Sequence, residues 1–314
     1  MSVNHTAEKV PTRYRDGVCG PWAATLTPLL DDRIDNDKLA AHCLSLLKNG
    51  LNGVVLFGST GEAASFTVAE RRESLESLRE AGVPGERIIV GTGCCATSDT
   101  VNLTSHAIEH ECAGVIVIPP YFYKPLQEQG LFDVYARLIE SVATRNLKIY
   151  LYNFPELSGV PITSEFLQRL CENYPDQIAG IKDSTGDLEN TLSLVQEFPQ
   201  LRVFTGDDDL LWPVATAGGA GSITATANII PQLLASVWRA VVDGADNPPE
   251  EHQTASDIWA LILNHYPIVE ALKECMVRIS GDPNWRSVRE PLCELPDSER
   301  STLIDRITAA GLSI

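Results

Sequence analysis

Short apolar runs and longer amphipathic runs alternate eight times between residues 20 and 243 of this 314-residue chain. The apolar runs are bounded by turn-forming residues and are too short for helices, so they are predicted to be buried strands. These strands are Gly20–Thr27, Gly53–Phe57, Arg87–Gly91, Gly114–Ile118, Lys148–Asn153, Ile178–Lys182, Arg202–Gly206 and Gly221–Thr226. The predicted helices span residues 35–50, 67–82, 97–111, 127–145, 163–174, 187–198, 208–218 and 230–243. Eight strands with helical crossovers predict an α/β fold, a (β/α)₈ TIM barrel.

The barrel pattern leaves a segment at each end of the chain. Residues 1–16 are polar without an apolar core, which predicts a flexible lead-in rather than a secretory signal. The barrel is assigned to residues 17–247. Residues 248–314 show no strand pattern and predict about three further helices, broken at Pro267 and Pro296, as an appended helical bundle.

The charge and the cysteines limit the partners. The formal net charge is −18 with no basic cluster, which disfavours nucleic acid and anionic membrane surfaces as partners. The eight cysteines contain no C-x-x-C pair and are scattered over the chain, as expected for reduced thiols in the cytoplasm.

One uncharged stretch, Leu210–Trp238, has the length of a membrane span. Pro213, Pro231 and the glycine-rich residues 218–221 interrupt it. These breaks predict a helix, a strand and a second helix instead of one span.

Lys182 ends the sixth predicted strand, directly after four residues of an apolar run. Burial disfavours the ammonium form, so a lysine at this place is a candidate amine nucleophile. Strand alternation places Lys182 and Gly180 on one face and Asp183 on the other. Tyr152 ends the fifth strand and can face the same interior as a proton carrier. The alternative is a lysine that extends its amine into solvent.

Other polar and aromatic residues follow predicted strands and therefore converge on the same barrel mouth. They form the G-S-T-G-E turn at residues 58–62, the aromatic segment 121–123 and the acidic segment 206–209. The turn is either an anion-binding nest or a plain turn with a helix cap. The aromatic residues either bind substrate, cap the barrel or form a subunit contact.

Two further motifs are disfavoured as sites. Residues 91–96 match G-x-G-x-x-A, but the acid that a dinucleotide site requires is missing after the next strand. Residues 106–110 match the H-x-x-E-H pattern of inverted zinc peptidases, which needs a further acidic ligand from elsewhere. This motif ends a crossover helix, away from the mouth, where the helix dipole already favours histidine. No metal is predicted.

Five segments together resemble the dihydrodipicolinate synthase / N-acetylneuraminate lyase superfamily of class I, Schiff-base-forming aldolases. They are the turn at residues 58–62, the Y-N-x-P segment 152–155, the I-K-D-S segment 181–184, the G-D-D segment 206–208 and the run 221–231. The resemblance implies that Lys182 forms the Schiff base and that Tyr152 is the acid/base phenol. The predicted substrate-binding residues are Ser59, Thr60, Gly61, Ser184, Gly206, Asp207, Asp208 and Ala225. Tyr121, Phe122 and Tyr123 are the candidate cross-subunit aromatics of a homo-oligomer, a dimer of dimers.

Departures from the family pattern limit the substrate. Members that make dihydrodipicolinate usually carry an arginine where this chain has Leu157, and a tyrosine where it has Phe122. The acids Asp207 and Asp208 would repel a second substrate carboxylate, whereas they accept hydrogen bonds from sugar hydroxyls. The sequence therefore favours 2-keto-3-deoxy sugar acids.

The predicted function is a lyase that interconverts such a sugar acid with pyruvate and an aldehyde, without a metal or organic cofactor. The same Schiff base would serve a dehydratase, in which a hydroxyl is expelled instead. N-acetylneuraminate lyase and dihydrodipicolinate synthase are further alternatives. A non-catalytic, pyruvate-binding regulatory barrel is the alternative from a different class.

Overall fold

Eight parallel strands close into a barrel in the computed structural model, which describes residues 17–144 and 146–314. The barrel strands are β1 (Gly20–Ala24), β4 (Gly53–Leu56), β5 (Ile88–Gly91), β6 (Gly114–Val117), β7 (Ile149–Asn153), β8 (Ile178–Asp183), β9 (Arg202–Thr205) and β10 (Gly221–Thr224). Each strand pairs with the next along the chain, and β10 pairs with β1 to close the ring. The predicted TIM barrel is confirmed. The predicted lead-in, residues 1–16, lies outside the described residues.

Helices connect the strands on the outside of the barrel. They are α1 (Asn36–Lys48), α2 (Val68–Glu80), α3 (Thr97–Glu109), α4 (Glu128–Val142), α6 (Ser164–Asn173), α7 (Leu188–Glu197), α8 (Leu211–Thr216) and α9 (Pro231–Asp243), with the short α5 (Pro155–Ser158) after β7. The start of α2 is fixed by a capping box, in which the Thr67 hydroxyl accepts from the backbone of Glu70 and the Glu70 carboxylate accepts from Thr67.

Three helices follow the barrel, as predicted: α10 (Glu250–His265), α11 (Ile268–Ser280) and α12 (Asp297–Ala309). Pro267 and Pro296 occupy the N-cap positions of α11 and α12, where proline ends the preceding segment without costing a helical hydrogen bond. Gly281 takes the left-handed conformation that closes α11.

Large side chains fill the barrel interior because glycines lie opposite them. Trp22 is paired with Gly53, and a Cβ atom at Gly53 would overlap the indole ring. Tyr150 is paired with Gly180, where a Cβ atom would lie 2.9 Å from the phenol ring. Gly180 thus leaves room below Lys182, two residues further along the same face.

The structure contains small elements that were not predicted, among them the short helix α5. A two-stranded hairpin, β2 (Leu29–Leu30) and β3 (Arg33–Ile34), lies in the residues predicted to lead from the first strand to the first helix. The first strand also ends at Ala24 rather than at Thr27, because the amide of Leu26 donates to the Asn228 side chain instead of to a neighbouring strand. None of the helices within residues 17–144 and 146–314 combines the length and the apolar character of a membrane span.

Candidate active site

Lys182 and Tyr152 lie side by side at the carboxyl ends of β8 and β7. They are direct partners in the strand register, so both side chains face the barrel interior. The Lys182 amine donates a hydrogen bond of 3.3 Å to the Tyr152 hydroxyl and lies 4.4 Å from the centre of the phenol ring. Lys182 is only 6% exposed. The two reactive groups are therefore held together in a site that is largely closed to water.

The neighbouring carboxylate of Asp183 does not compete for this amine. It is buried on the opposite face of β8, where it accepts hydrogen bonds from the side chains of Asn153, Thr185, Asn190 and Thr191 at 2.7–3.0 Å. These donors satisfy the carboxylate outside the barrel interior. No carboxylate among the described residues forms an ion pair with Lys182 within 4.0 Å.

The turn after β4 contributes a hydroxyl to the same site. The Ser59 hydroxyl lies 3.1 Å from the Tyr152 hydroxyl, which extends the contact between amine and phenol to a third group. Thr60 is buried beside it. The structure therefore brings Ser59, Tyr152 and Lys182 together, as the sequence suggested.

Unusual backbone conformations bracket this turn. Phe57 and Glu62 have φ angles of +54° and +55°, a region that non-glycine residues rarely adopt. Such strain persists only where surrounding contacts hold it. One such contact is the hydrogen bond of 2.9 Å from the Thr27 hydroxyl to the carbonyl of Gly61.

A second contact comes from the C-terminal helices. The Glu62 carboxylate forms a fully buried ion pair of 2.5 Å with Lys273 of α11 and also accepts the backbone N–H of Arg289 at 3.1 Å. The Lys273 amine donates to the carbonyl of Ser287 at 2.6 Å. The appended bundle thus anchors the turn that carries Ser59.

A cavity of about 510 Å³ opens next to Ser59 and Tyr152. Leu157 stands at its rim and is 53% exposed. Tyr121 also lines it, whereas Phe122 and Tyr123 lie on the surface, 73% and 77% exposed, with their rings edge to face at 5.2 Å. Burial raises the pKa of Tyr121 to about 12, so its phenol stays protonated at neutral pH.

Acidic residues follow β9 on the other side of Lys182. Asp207 is largely buried, and burial together with Asp209 raises the pKa of its carboxyl to about 6, against the opposing influence of Lys182. One Asp207 oxygen has no hydrogen-bond donor among the described residues. The Trp259 side chain in α10 opposes the rise in pKa through a hydrogen bond to Asp207.

Asp208 is different, because it lies entirely inside the protein. The Thr226 hydroxyl donates to it, and burial raises its pKa to about 8. At neutral pH it is mainly a neutral carboxylic acid. One of its oxygens accepts from Thr226, and the other is buried without a hydrogen-bond partner among the described residues.

The remaining predicted residues frame the mouth. Ser184 and Gly206 are in contact, since a Cβ atom at Gly206 would overlap the Ser184 hydroxyl. The amide of Gly206 donates to the carbonyl of Asp183 at 2.7 Å. Ala225 is buried just beyond β10, and its carbonyl accepts from the Asn228 amide at 2.7 Å.

A family model, described as the dihydrodipicolinate synthetase family, matches residues 18–310 of the chain. The chain belongs to this family. Its members are lyases, so the prediction of a lyase from this superfamily is confirmed. The match covers the barrel and the three C-terminal helices.

Individual proteins that are similar to this chain support its place in the dihydrodipicolinate synthetase family. An uncharacterized DapA-like lyase from Chloroflexus aurantiacus is 33% identical over 90% of this chain and 94% of its own. The crystal structure of dihydrodipicolinate synthase from Agrobacterium tumefaciens has a TM-score of 0.85 and 29% identity, covering 93% and 99% of the two chains. YagE, a prophage protein from E. coli K12 crystallised with pyruvate, has a TM-score of 0.86 and 27% identity, covering 94% and 99%.

Sequence reasoning missed two charged residues around this family site. Arg71 lies in the cavity wall, buried, with its guanidinium donating to the Gly91 carbonyl at 2.5 Å. Its position on the buried face of α2, in line with Leu75 and Leu78, was the available signal. Lys273 lies within a fully buried stretch of α11. The amphipathic pattern of this helix alone does not predict that it contacts the mouth.

Proposed function

We propose that the chain is a Schiff-base lyase that cleaves or forms a 2-keto-3-deoxy sugar acid. The observation that carries this proposal is the continuous contact from the Lys182 amine through the Tyr152 phenol to the Ser59 hydroxyl. An amine nucleophile, an acid/base group and a hydroxyl that can bind a carboxylate are the groups this reaction requires.

In the cleavage direction, the neutral Lys182 amine attacks the C2 ketone of the substrate. The Tyr152 hydroxyl gives its proton to the departing oxygen, so water leaves and a protonated imine and a Tyr152 phenolate remain. Tyr152, as the phenolate, takes the proton from the C4 hydroxyl while the C3–C4 bond breaks and the aldehyde departs. The electrons of that bond form an enamine, with the iminium as the electron sink. Protonation at C3 and hydrolysis of the imine then release pyruvate and the free lysine.

Two residues support a hydroxylated substrate. Leu157 places an apolar side chain at the cavity rim, which offers no charge to a second substrate carboxylate. Asp207 carries a buried oxygen without a hydrogen-bond donor among the described residues, and Lys182 is close enough to lower the pKa of this carboxyl. A sugar hydroxyl would supply the missing donor.

Borohydride reduction in the presence of pyruvate, followed by peptide mass mapping, tests the proposal. We expect a stable adduct on the peptide that contains Lys182, and none after Lys182→Met. Lys148→Met is the matched control, since Lys148 lies at the opposite end of the barrel and bonds to the carbonyl of Asp176. A wild-type protein without an adduct on Lys182 would contradict the mechanism.

Product analysis then tests the reaction itself. With 2-keto-3-deoxy sugar acids, pyruvate and an aldehyde are expected, whereas a dehydrated keto acid would identify a dehydratase. Adduct formation without turnover of any 2-oxo acid would instead indicate the non-catalytic pyruvate-binding barrel.

We further propose a homotetramer, a dimer of dimers, located in the cytoplasm. The exposed rings of Phe122 and Tyr123 would contact a second copy, since exposed aromatics favour interfaces. Seven cysteines are free thiols, which suits a reducing compartment: Cys43, Cys94, Cys95, Cys112, Cys171, Cys275 and Cys293. Light scattering on the purified protein measures the oligomer directly, and a monomer would contradict it.

A further inference from the structure

Three side chains that can bind metal meet between two outer helices, away from the mouth. Glu76 projects from α2, and His106 and His110 come from the end of α3. Their ligand atoms all lie within 4.8 Å of one another. The two histidines are four residues apart, which places them on one face of a helix.

The contacts within this group are already close. The His106 ring nitrogen Nε2 lies 2.8 Å from the Glu76 carboxylate, and the two imidazole rings have centroids 4.5 Å apart. A tetrahedral zinc ion with bonds of about 2.1 Å separates neighbouring ligand atoms by about 3.4 Å. His106 is buried and therefore fixed, whereas Glu76 is half exposed and can turn by the small amount needed.

The charges nearby are compatible with a cation. Glu76 supplies one carboxylate to the cluster, and each imidazole offers a ring nitrogen whose lone pair can bind a metal ion. Arg72 is the nearby cation, and its guanidinium donates to Asn102 at 3.0 Å.

The geometry points to a binding site for one borderline divalent cation, such as Zn²⁺ or Co²⁺, formed by Glu76, His106 and His110. Two imidazoles and one carboxylate are a donor set that suits zinc and later transition metals rather than Mg²⁺ or Ca²⁺. Glu109, the acid within the H-x-x-E-H motif, is exposed and is not part of the cluster. The third ligand is thus supplied by the neighbouring helix.

The site would join α2 to α3 and leave the reaction unchanged. Both helices run from the mouth toward the opposite end of the barrel, and the ligands lie in their second halves. A bound cation adds a link between the two helices, so it stabilises the folded chain in proportion to its concentration.

Calorimetric titration of the metal-stripped full chain with ZnCl₂ tests this site. We expect one Zn²⁺ per chain, with affinity at least about 10-fold lower in Glu76→Gln and His110→Ala, because even lost partners of metal ligands weaken binding 10- to 100-fold. Glu109→Gln removes the same charge from an exposed position on α3, next to His110, and should bind as the wild type does. Equal affinities in wild type and His110→Ala would overturn the proposal.

The free thiols require a second readout. The Co²⁺ complex of the wild type should show visible d–d bands without the intense near-ultraviolet band of cobalt–thiolate bonds. A thiolate band that persists in Glu76→Gln would assign the binding to cysteines and overturn the site. Saturating Zn²⁺ should also raise the melting temperature of wild type and Glu109→Gln but not of His110→Ala, whose metal-free melting temperature provides the check on folding.

Discussion

Two buried lysines lie in two different regions of this molecule, and their partners differ. Lys182, at the barrel mouth, contacts a neutral phenol and no carboxylate within ion-pair distance among the described residues. Lys273, in the C-terminal bundle, is fully buried in an ion pair of 2.5 Å with Glu62 and also bonds to a carbonyl. The same side chain is available for reaction in one place and fully engaged in the other.

The difference teaches that burial alone does not identify a nucleophile. Burial favours the neutral amine, whereas a close carboxylate favours the ammonium form and holds it. Burial lowers the pKa of Lys273, and Glu62 opposes that shift. Lys273, which stabilises the turn around Ser59, therefore differs in chemistry from Lys182, which lies across the mouth from that turn.

The largest expected effect is that of Lys182→Met on enamine formation. Exchange of the pyruvate methyl protons with D₂O, followed by NMR, measures this step without knowledge of the aldehyde. We expect a loss of about 10⁴-fold or more, as for removal of other covalent nucleophiles. Stability to urea should stay at or above that of the wild type, because methionine removes a buried polar group. Exchange at the wild-type rate would place the nucleophile elsewhere.

Methionine in place of the other lysine, Lys273, should reduce the stability of the protein. Lys273→Met leaves the Glu62 carboxylate buried and uncompensated, so we expect a loss of about 3–5 kcal/mol in the free energy of unfolding. The double variant Glu62→Gln/Lys273→Met removes both charges and should recover part of this loss. Urea unfolding at pH 7 provides the measurement. A single variant as stable as the wild type would show that the pair does not anchor the turn.

A smaller effect is expected for Tyr152→Phe, which retains the ring beside Lys182 but removes the hydroxyl. Loss of a positioned acid/base group should slow pyruvate proton exchange about 10²-fold or more. Borohydride trapping should persist, because the amine remains. Loss of trapping together with exchange would indicate that the phenol is needed to form the imine rather than to move protons afterwards.

Much of this comparison follows from the sequence, and some of it does not. The period of the apolar runs located all eight barrel strands, and alternation along β8 separated Lys182 from Asp183, because these are local properties of a strand. The ion pair between Glu62 and Lys273 joins residues more than two hundred positions apart. No local pattern encodes a contact of that kind.

Residues after the strand ends were the hardest to place. Asp207 and Asp208 are adjacent in sequence, and both were predicted to bind substrate. Both carboxylates keep one buried oxygen without a hydrogen-bond partner among the described residues. Asp207 lies close enough to Lys182 for that amine to lower its pKa, whereas Asp208 is fully buried against Thr226. The direction of the side chain changes at every residue in such a turn, so the environment of each side chain depends on tertiary packing rather than on sequence spacing.

Asp208 is a buried acid that can be compared with the two buried lysines, because no cation pairs with it among the described residues. Its folded pKa of about 8 lies above the ordinary 3.8, so its contribution to stability is complete below pH 4 and is lost as the pH rises toward 8. Asp208→Asn cannot ionise. Its stability relative to wild type should therefore rise by about 1.4 kcal/mol per pH unit between pH 5 and 7. Urea unfolding at three pH values measures this slope. Parallel profiles for Asp208→Asn and the wild type would mean that this carboxyl ionises normally, and that burial without a cation does not suffice to neutralise an acid in this barrel.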